Sequence, residues 1–184
     1  MAERRADTRS RIQAVALELF AEQGYEKTSL REIAERLGVT KAALYYHFRT
    51  KDDIVASLFV DFATQVDEII EWAREHEPAN ENRAEIVRRY AKVLGESGSM
   101  IIAFVQGNQT AMRDLDASKD LFGRFHTLAT LLTDPKAPLK KRLKQSMALP
   151  MLHIGYAGVF ELNATVEERR AAALEVALEL LAGT

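Results

Sequence analysis

Between Ile12 and Phe48, apolar residues recur at helical spacing in three short runs, each bounded by a residue that breaks or caps a helix. Ile12, Val15, Ala16, Leu19 and Phe20 fall at i, i+3, i+4, i+7 and i+8, one helix face, and Gly24 stops that helix. Ser29 to Glu32 reads S-x-x-E, a capping box, over Leu30, Ile33, Ala34 and Leu37, and Gly38 closes the second helix. Thr40 caps a third helix to about Phe48, with Leu44 and Phe48 one turn apart on its buried side. No strand-like alternation interrupts the pattern, so the chain reads as all-α.

The same periodicity runs on. A long fourth helix is expected from Thr50 to about Glu77, with Asp52 and Asp53 in its positive first turn, a stripe from Ile54 through Leu58, Phe62, Val66 and Ala73, and Pro78 as its stop. Further helices are expected over 83–95, 99–108, 115–133, 139–162 and 166–182, about nine in all. Pro150 should kink or break the one it interrupts. Thr165 and Glu168 form a second capping box. In the last helix Ala173, Val176, Ala177, Leu180 and Leu181 make one apolar face, and Leu174 and Leu178 a second. A helix apolar on two sides needs two partners, which points to a homodimer packed through the last two helices, aided by Gly155, Ala157 and Gly158.

Composition narrows the chemistry. None of the 184 residues is Cys, which excludes disulfides, thiolate nucleophiles and Cys-based metal sites, and the four His show no ligand spacing. No cofactor is implied. Gly95 to Ser99 (G-E-S-G-S) falls one residue short of the nucleophile-elbow pattern and has no strand before it, so it reads as a helix-ending turn; no catalytic constellation appears. The polar N-terminus lacks a secretory apolar segment, and the apolar stretch 147–162 is too short to span a membrane, so a cytoplasmic protein is expected. Arg4, Arg5, Arg9 and Arg11 could form an arm towards a minor groove, but read first as a solvated, disordered tail. Charge is uneven: residues 1–51 hold 10 Lys/Arg and 7 Asp/Glu, and the remainder 15 and 20. The split reads either as a basic N-terminal module on an acidic body or as chance and solvated helix faces, and charge alone leaves both open.

The second and third helices form a helix-turn-helix, whose DNA-binding use places the later helix in the major groove. From Arg36 to Lys51 there is no Asp or Glu, but there are two Arg, two Lys and His47. Phosphate neutralisation wants that charge. Tyr45 and Tyr46 project about 100° apart, so one must face outward, while Ala42 and Ala43 let the helix backbone approach the bases.

The run A-L-E-L-F-A-E-Q-G-Y-E-K-T-S-L-R-E-I-A-E-R-L-G-V-T-K-A-A-L-Y-Y-H-F-R-T-K-D-D-I, Ala16 to Ile54, resembles the N-terminal domain of the TetR family of bacterial transcriptional regulators. G-Y-x-x-T and L-Y-Y-H-F-x-x-K are its most specific portions. The resemblance implies an N-terminal DNA-binding domain, residues 1–51, and a regulatory ligand-binding and dimerisation domain, residues 52–184. It implies phosphate contacts from Thr28 and Ser29, base and flanking-phosphate contacts from Thr40, Lys41, Ala42, Tyr45 and Tyr46, and phosphate contacts from His47 and Lys51. Ala43 departs from the polar residue some relatives carry. The family's effector cavity would be lined here by Phe62, Tyr90, Phe104, Gln106, Phe125, His126, Met151, His153 and Tyr156, with Trp72, Phe122 and Met147 nearby. The resulting expectation is a homodimeric repressor that leaves a palindromic operator when a small molecule binds. The other reading is a ligand- or protein-binding helical module with a vestigial helix-turn-helix.

Overall fold

The computed structural model describes residues 2–98, 101, 116–158 and 162–182, with side chains from residue 8 except those of 96, 97 and 116–120. Every regular element among them is helical: α1 (Ala2–Gln23), α2 (Leu30–Leu37), α3 (Lys41–His47), α4 (Lys51–Glu75), α5 (Asn80–Val93), a π turn (Leu94–Gly98), α6 (Asp116–Leu132), α7 (Leu139–Ser146), α8 (Ala148–Ala157) and α9 (Val166–Ala182). The helix expected over 99–108 lies outside the described residues. Two compact units result, one holding the residues up to Asp61, the other those from Phe62 to 101 and from 119 onward. α4 contributes to both.

The first unit is built around Ile12, Ala16, Leu19, Phe20, Ile33, Leu44, Phe48, Ile54 and Leu58, all buried. These are the positions that helical spacing selects. α1 starts at Ala2, which corrects the disordered-tail expectation: residues 2–11 are helical. Within this unit a polar network ties α1 to α4. The buried Gln13 donates from Nε2 to Ser57 Oγ at 2.8 Å and to Asp61 Oδ2 at 2.7 Å.

The second unit buries Phe62, Val66, Ile69 and Ile70 of α4 and Ile86, Val87 and Tyr90 of α5. Leu128 and Leu132 of α6, Leu149 and Leu152 of α8 and Ala173, Ala177 and Leu181 of α9 complete this core. Arg124 of α6 clamps Asp67 of α4 through two parallel bonds of 2.8 Å, the strong fork geometry of a guanidinium on a carboxylate. The helix expected over 139–162 is broken after Ser146. Pro150 lacks an N–H and its ring would strike the Ser146 carbonyl, so the ladder restarts with Met151 N–H on Met147 O at 3.0 Å. Gly95–Gly98 belongs to a π turn continuing α5, where a Cβ on Gly98 would lie 2.8 Å from both Leu94 and Phe62 side chains. α8 and α9 cross closely because Gly155 has no side chain: a Cβ there would sit 2.2 Å from Ala173 Cβ.

Candidate nucleic-acid interface

α2 is closed at both ends by its own sequence. Ser29 Oγ accepts from Glu32 N–H at 3.2 Å while the Glu32 carboxylate accepts from Ser29 N–H at 2.7 Å. The Ser29 hydroxyl also donates to that carboxylate at 2.7 Å, and this bond first, then the Ser29 N–H bond, holds the Glu32 carboxyl below its ordinary range. At the other end Gly38 takes φ +72°, left-handed backbone that a side chain would strain. The chain then turns straight into α3, capped by Thr40 Oγ1 on Ala43 N–H at 3.2 Å.

α3 has one inward residue, Leu44, fully buried, with Phe48 following it into the core. Everything else in its first two turns faces out. Thr40, Lys41, Ala42 and Ala43 are exposed, Tyr45 is 42% and Tyr46 66% exposed, and His47 is half-buried. The Lys41 ammonium lies over the Tyr45 ring at 5.3 Å, and the Tyr46 and His47 rings meet edge to face at 5.4 Å. Six of the nine predicted DNA-contact residues, Thr40, Lys41, Ala42, Tyr45, Tyr46 and His47, thus lie on one short helix and its cap. Its exposed surface is cationic, aromatic and small-residued, and carries no acid.

The other three predicted contacts are engaged differently. Thr28 is buried, and its hydroxyl donates to Gly24 O at 2.9 Å, so that hydroxyl is turned away from any phosphate. Ser29 is exposed with its hydroxyl engaged by Glu32. Lys51 donates to Tyr25 O at 2.6 Å and lies over the Tyr25 ring at 4.4 Å. Its ammonium is therefore first a fastener of the α1–α2 loop. The Tyr25 hydroxyl in turn donates to the Asp52 carboxylate, and burial above all, then that bond, pushes the phenol pKa up. Gly24 at φ +91°, Tyr25 and Thr28 thus explain G-Y-x-x-T mechanically: a left-handed turn, a ring bolted to α4, and a hydroxyl that closes the loop. The acid-free stretch is also less cationic than it reads, because Arg36 pairs with Glu22 at 3.0 Å.

In the second unit the predicted effector residues divide. Phe62, Tyr90, Phe125 and His153 come together: Phe62 and Tyr90 rings lie 6.4 Å apart, Phe125 and His153 5.1 Å, and the Tyr90 hydroxyl and His153 Nε2 share a 2.7 Å hydrogen bond. Burial lowers the His153 pKa to about 4 and raises that of Tyr90, so both are neutral in the pair. Tyr156 is half-buried beside Gly95 and donates to Ala91 O at 2.9 Å. Met151 is half-buried. His126 is exposed on α6, and Phe122 is 76% exposed, which corrects their placement in a cavity lining. Met147 is exposed too, and Trp72 instead stacks between His76 and Arg89. Phe104 and Gln106 lie outside the described residues. Two groups went unnoticed in the sequence. Gln13 follows the first residue of an apolar stripe, and Arg83 shares a helical face with Val87 and Tyr90 yet is buried. A polar residue in register with an apolar face was the available signal for Arg83.

Residues 12–58 match the family model described as bacterial regulatory proteins, tetR family. The chain's N-terminal domain is similar to that of the TetR family. The similar proteins include the HTH-type transcriptional regulator AcrR of Shigella flexneri, 47% identical over 53 residues, 29% of this chain and 25% of that protein. The chain therefore matches about a quarter of that relative's length. The fatty acid metabolism regulator protein of Bacillus subtilis (strain 168) is 29% identical over 142 residues, 74% of this chain and 73% of that one. Among solved structures, AmtR of Mycobacterium smegmatis superimposes with a TM-score of 0.67 at 26% identity, covering 96% of this chain and 86% of that one. No helix among the described residues of this chain is long and apolar enough to cross a membrane.

Proposed function

We propose that this chain is a sequence-specific transcriptional regulator that binds a palindromic operator as a homodimer and leaves it when a small molecule binds the second unit. The observation that carries the reading is α3: Leu44 anchors it while Lys41, Tyr45 and Tyr46 stand outward beside Ala42 and Ala43. Such a helix can enter the major groove, backbone close to the bases, with hydroxyls and an ammonium reaching base edges and phosphates. The family resemblance over residues 12–58 supports the same use.

Dimerisation is supported by apolar surface on the last helices. Leu139, Leu143 and Met147, spaced four residues apart, are 77%, 62% and 41% exposed, and Val166 and Val176 of α9 are exposed as well. An isologous contact would bury them and set two reading helices against two half-sites. Relief by an effector is a population shift, and requires that the effector favour the form whose helices no longer match the half-site spacing. Phe62, Tyr90, Phe125 and His153 are the residues proposed to meet it, an apolar lining with one polar pair. The Bacillus subtilis relative is named for fatty acid metabolism, so acyl chains are the first effector class to test. The chain acts in the cytoplasm, without catalysis, in this reading.

The test is selection from a random duplex pool, with Lys41→Ala and Tyr46→Ala as controls. A palindromic motif enriched by the wild-type chain and altered or lost in the variants supports the reading. No motif at low salt from folded protein would favour a helical binding module with a vestigial head.

A further inference from the structure

Arg83 is an anomaly that operator binding does not use. It sits in the first turn of α5 on the face it shares with Val87 and Tyr90, and is only 6% exposed. Among the described residues its guanidinium makes one hydrogen bond, Nη1 to Asn80 Oδ1 at 3.3 Å, and Nε has no partner. No carboxylate among the described residues lies within ion-pair distance; Glu77 and Glu81, the nearest acids in sequence, are exposed and unpaired with it. A buried charge is costly unless paired and fully hydrogen-bonded, so an unpaired one marks a missing partner. The surroundings add donors of the same kind. Ala79, the N-cap of α5, has no side chain to cap with, and the first ladder bond is Arg83 N–H on Ala79 O. The amides of Asn80, Glu81 and Asn82 therefore have no carbonyl within the helix, and a helix N-terminus favours negative charge.

We propose that Arg83 and the first turn of α5 bind an oxyanion, and that this is where the charged end of an anionic effector docks; the second clause rests on the effector-relief reading above. Along α5, Tyr90 lies seven residues on, about 10 Å at 1.5 Å per residue. Between the two ends the same face presents Ile86 and Val87, both buried. An effector engaging both ends would therefore carry an anion on an apolar body roughly that long. The oxyanion is a carboxylate or a phosphate, and guanidinium recognises both with the same fork.

The experiment uses the full chain and two probes, octanoate and inorganic phosphate, each titrated against chloride at constant ionic strength while the thermal midpoint is followed. Expected is a saturable rise with at least one probe, octanoate alone marking a carboxylate site and phosphate alone a phosphate site. Arg83→Met, which keeps the stem and removes the charge, should shift half-saturation by about tenfold or more, as for a lost charge-assisted contact. If that variant does not fold, Arg83→Lys takes its place and should weaken the response by removing the fork. No rise in the wild-type chain, or an equal rise in wild type and variant, overturns the proposal. Operator release is scored separately. An Arg83-dependent response without release leaves the anion site standing and removes the effector reading. Release by a neutral ligand with no Arg83-dependent response does the reverse.

Discussion

Two glycines in helices should respond to the same substitution with opposite signs. In Gly155→Ala the new Cβ would sit 2.2 Å from Ala173 Cβ and 3.1 Å from Arg169 O. Carbon–carbon contacts settle at about 3.5–4.0 Å, so α8 and α9 must part by roughly 1.3–1.8 Å where they cross. Neither obstacle can rotate away, since one is an alanine methyl and the other a backbone carbonyl. Overpacking of this kind costs about 1–3 kcal/mol, and the helical gain from Gly to Ala returns about 0.5–1 kcal/mol. A net loss of about 1–2 kcal/mol lowers the midpoint by roughly 2–8 °C for a chain of this size. Gly123 in the exposed face of α6 has nothing within 4 Å of its Cβ position. Gly123→Ala should therefore gain about 0.5–1 kcal/mol and raise the midpoint by about 1–4 °C. Scanning calorimetry of the full chain at matched protein concentration reads both, concentration being held because dimer stability depends on it. Equal midpoints for the two variants, or a rise with Gly155→Ala, would refute the claim that close approach at Gly155 sets how α8 meets α9.

Lys51→Ala removes the bond to Tyr25 O and the cation over the Tyr25 ring, and should destabilise the N-terminal unit by about 1–2 kcal/mol. If Lys51 also reaches a phosphate, the slope of log affinity against log salt falls by about one; an unchanged slope confines the residue to fastening the loop. His153 has a folded-state pKa of about 4 against an ordinary 6.5. The unfolded chain therefore binds a proton between those values that the folded chain refuses, so stability is full above pH 6.5 and falls as pH drops toward 4. The slope from this one group is at most about 1.4 kcal/mol per pH unit. Denaturation midpoints at pH 7.5, 5.5 and 4.5 should fall less steeply in His153→Phe; parallel curves would reassign the acid sensitivity to another group.

The first unit was legible because its signals are local. Helical spacing named Ile12, Leu44 and Phe48 as core, and the capping residues Ser29 and Thr40 mark where α2 and α3 begin. Charge and exposed aromatics pointed to α3 as the reading surface. Less legible was which polar groups the fold itself consumes. Thr28 and Lys51 carry the atoms a phosphate contact needs, but their partners Gly24 and Tyr25 lie 4 and 26 residues away, and only the packed loop joins them. His126 and His153 look alike as polar residues in apolar stretches. α6 turns one to solvent, and α8 brings the other against Tyr90, 63 residues earlier.

By itself the sequence determined that the chain is helical, where α2 and α3 begin and end, and which face of α3 stays outside. Periodicity, caps and left-handed glycines act within a few residues, so they can be read in a line. Tertiary structure alone decided that Gln13 ties α1 to Ser57 and Asp61, that Tyr90 meets His153, and that Arg83 is buried with no counter-charge among the described residues. Those outcomes depend on which side chains distant segments bring together, and a polar group's role is set by the partner it is left with once water is excluded.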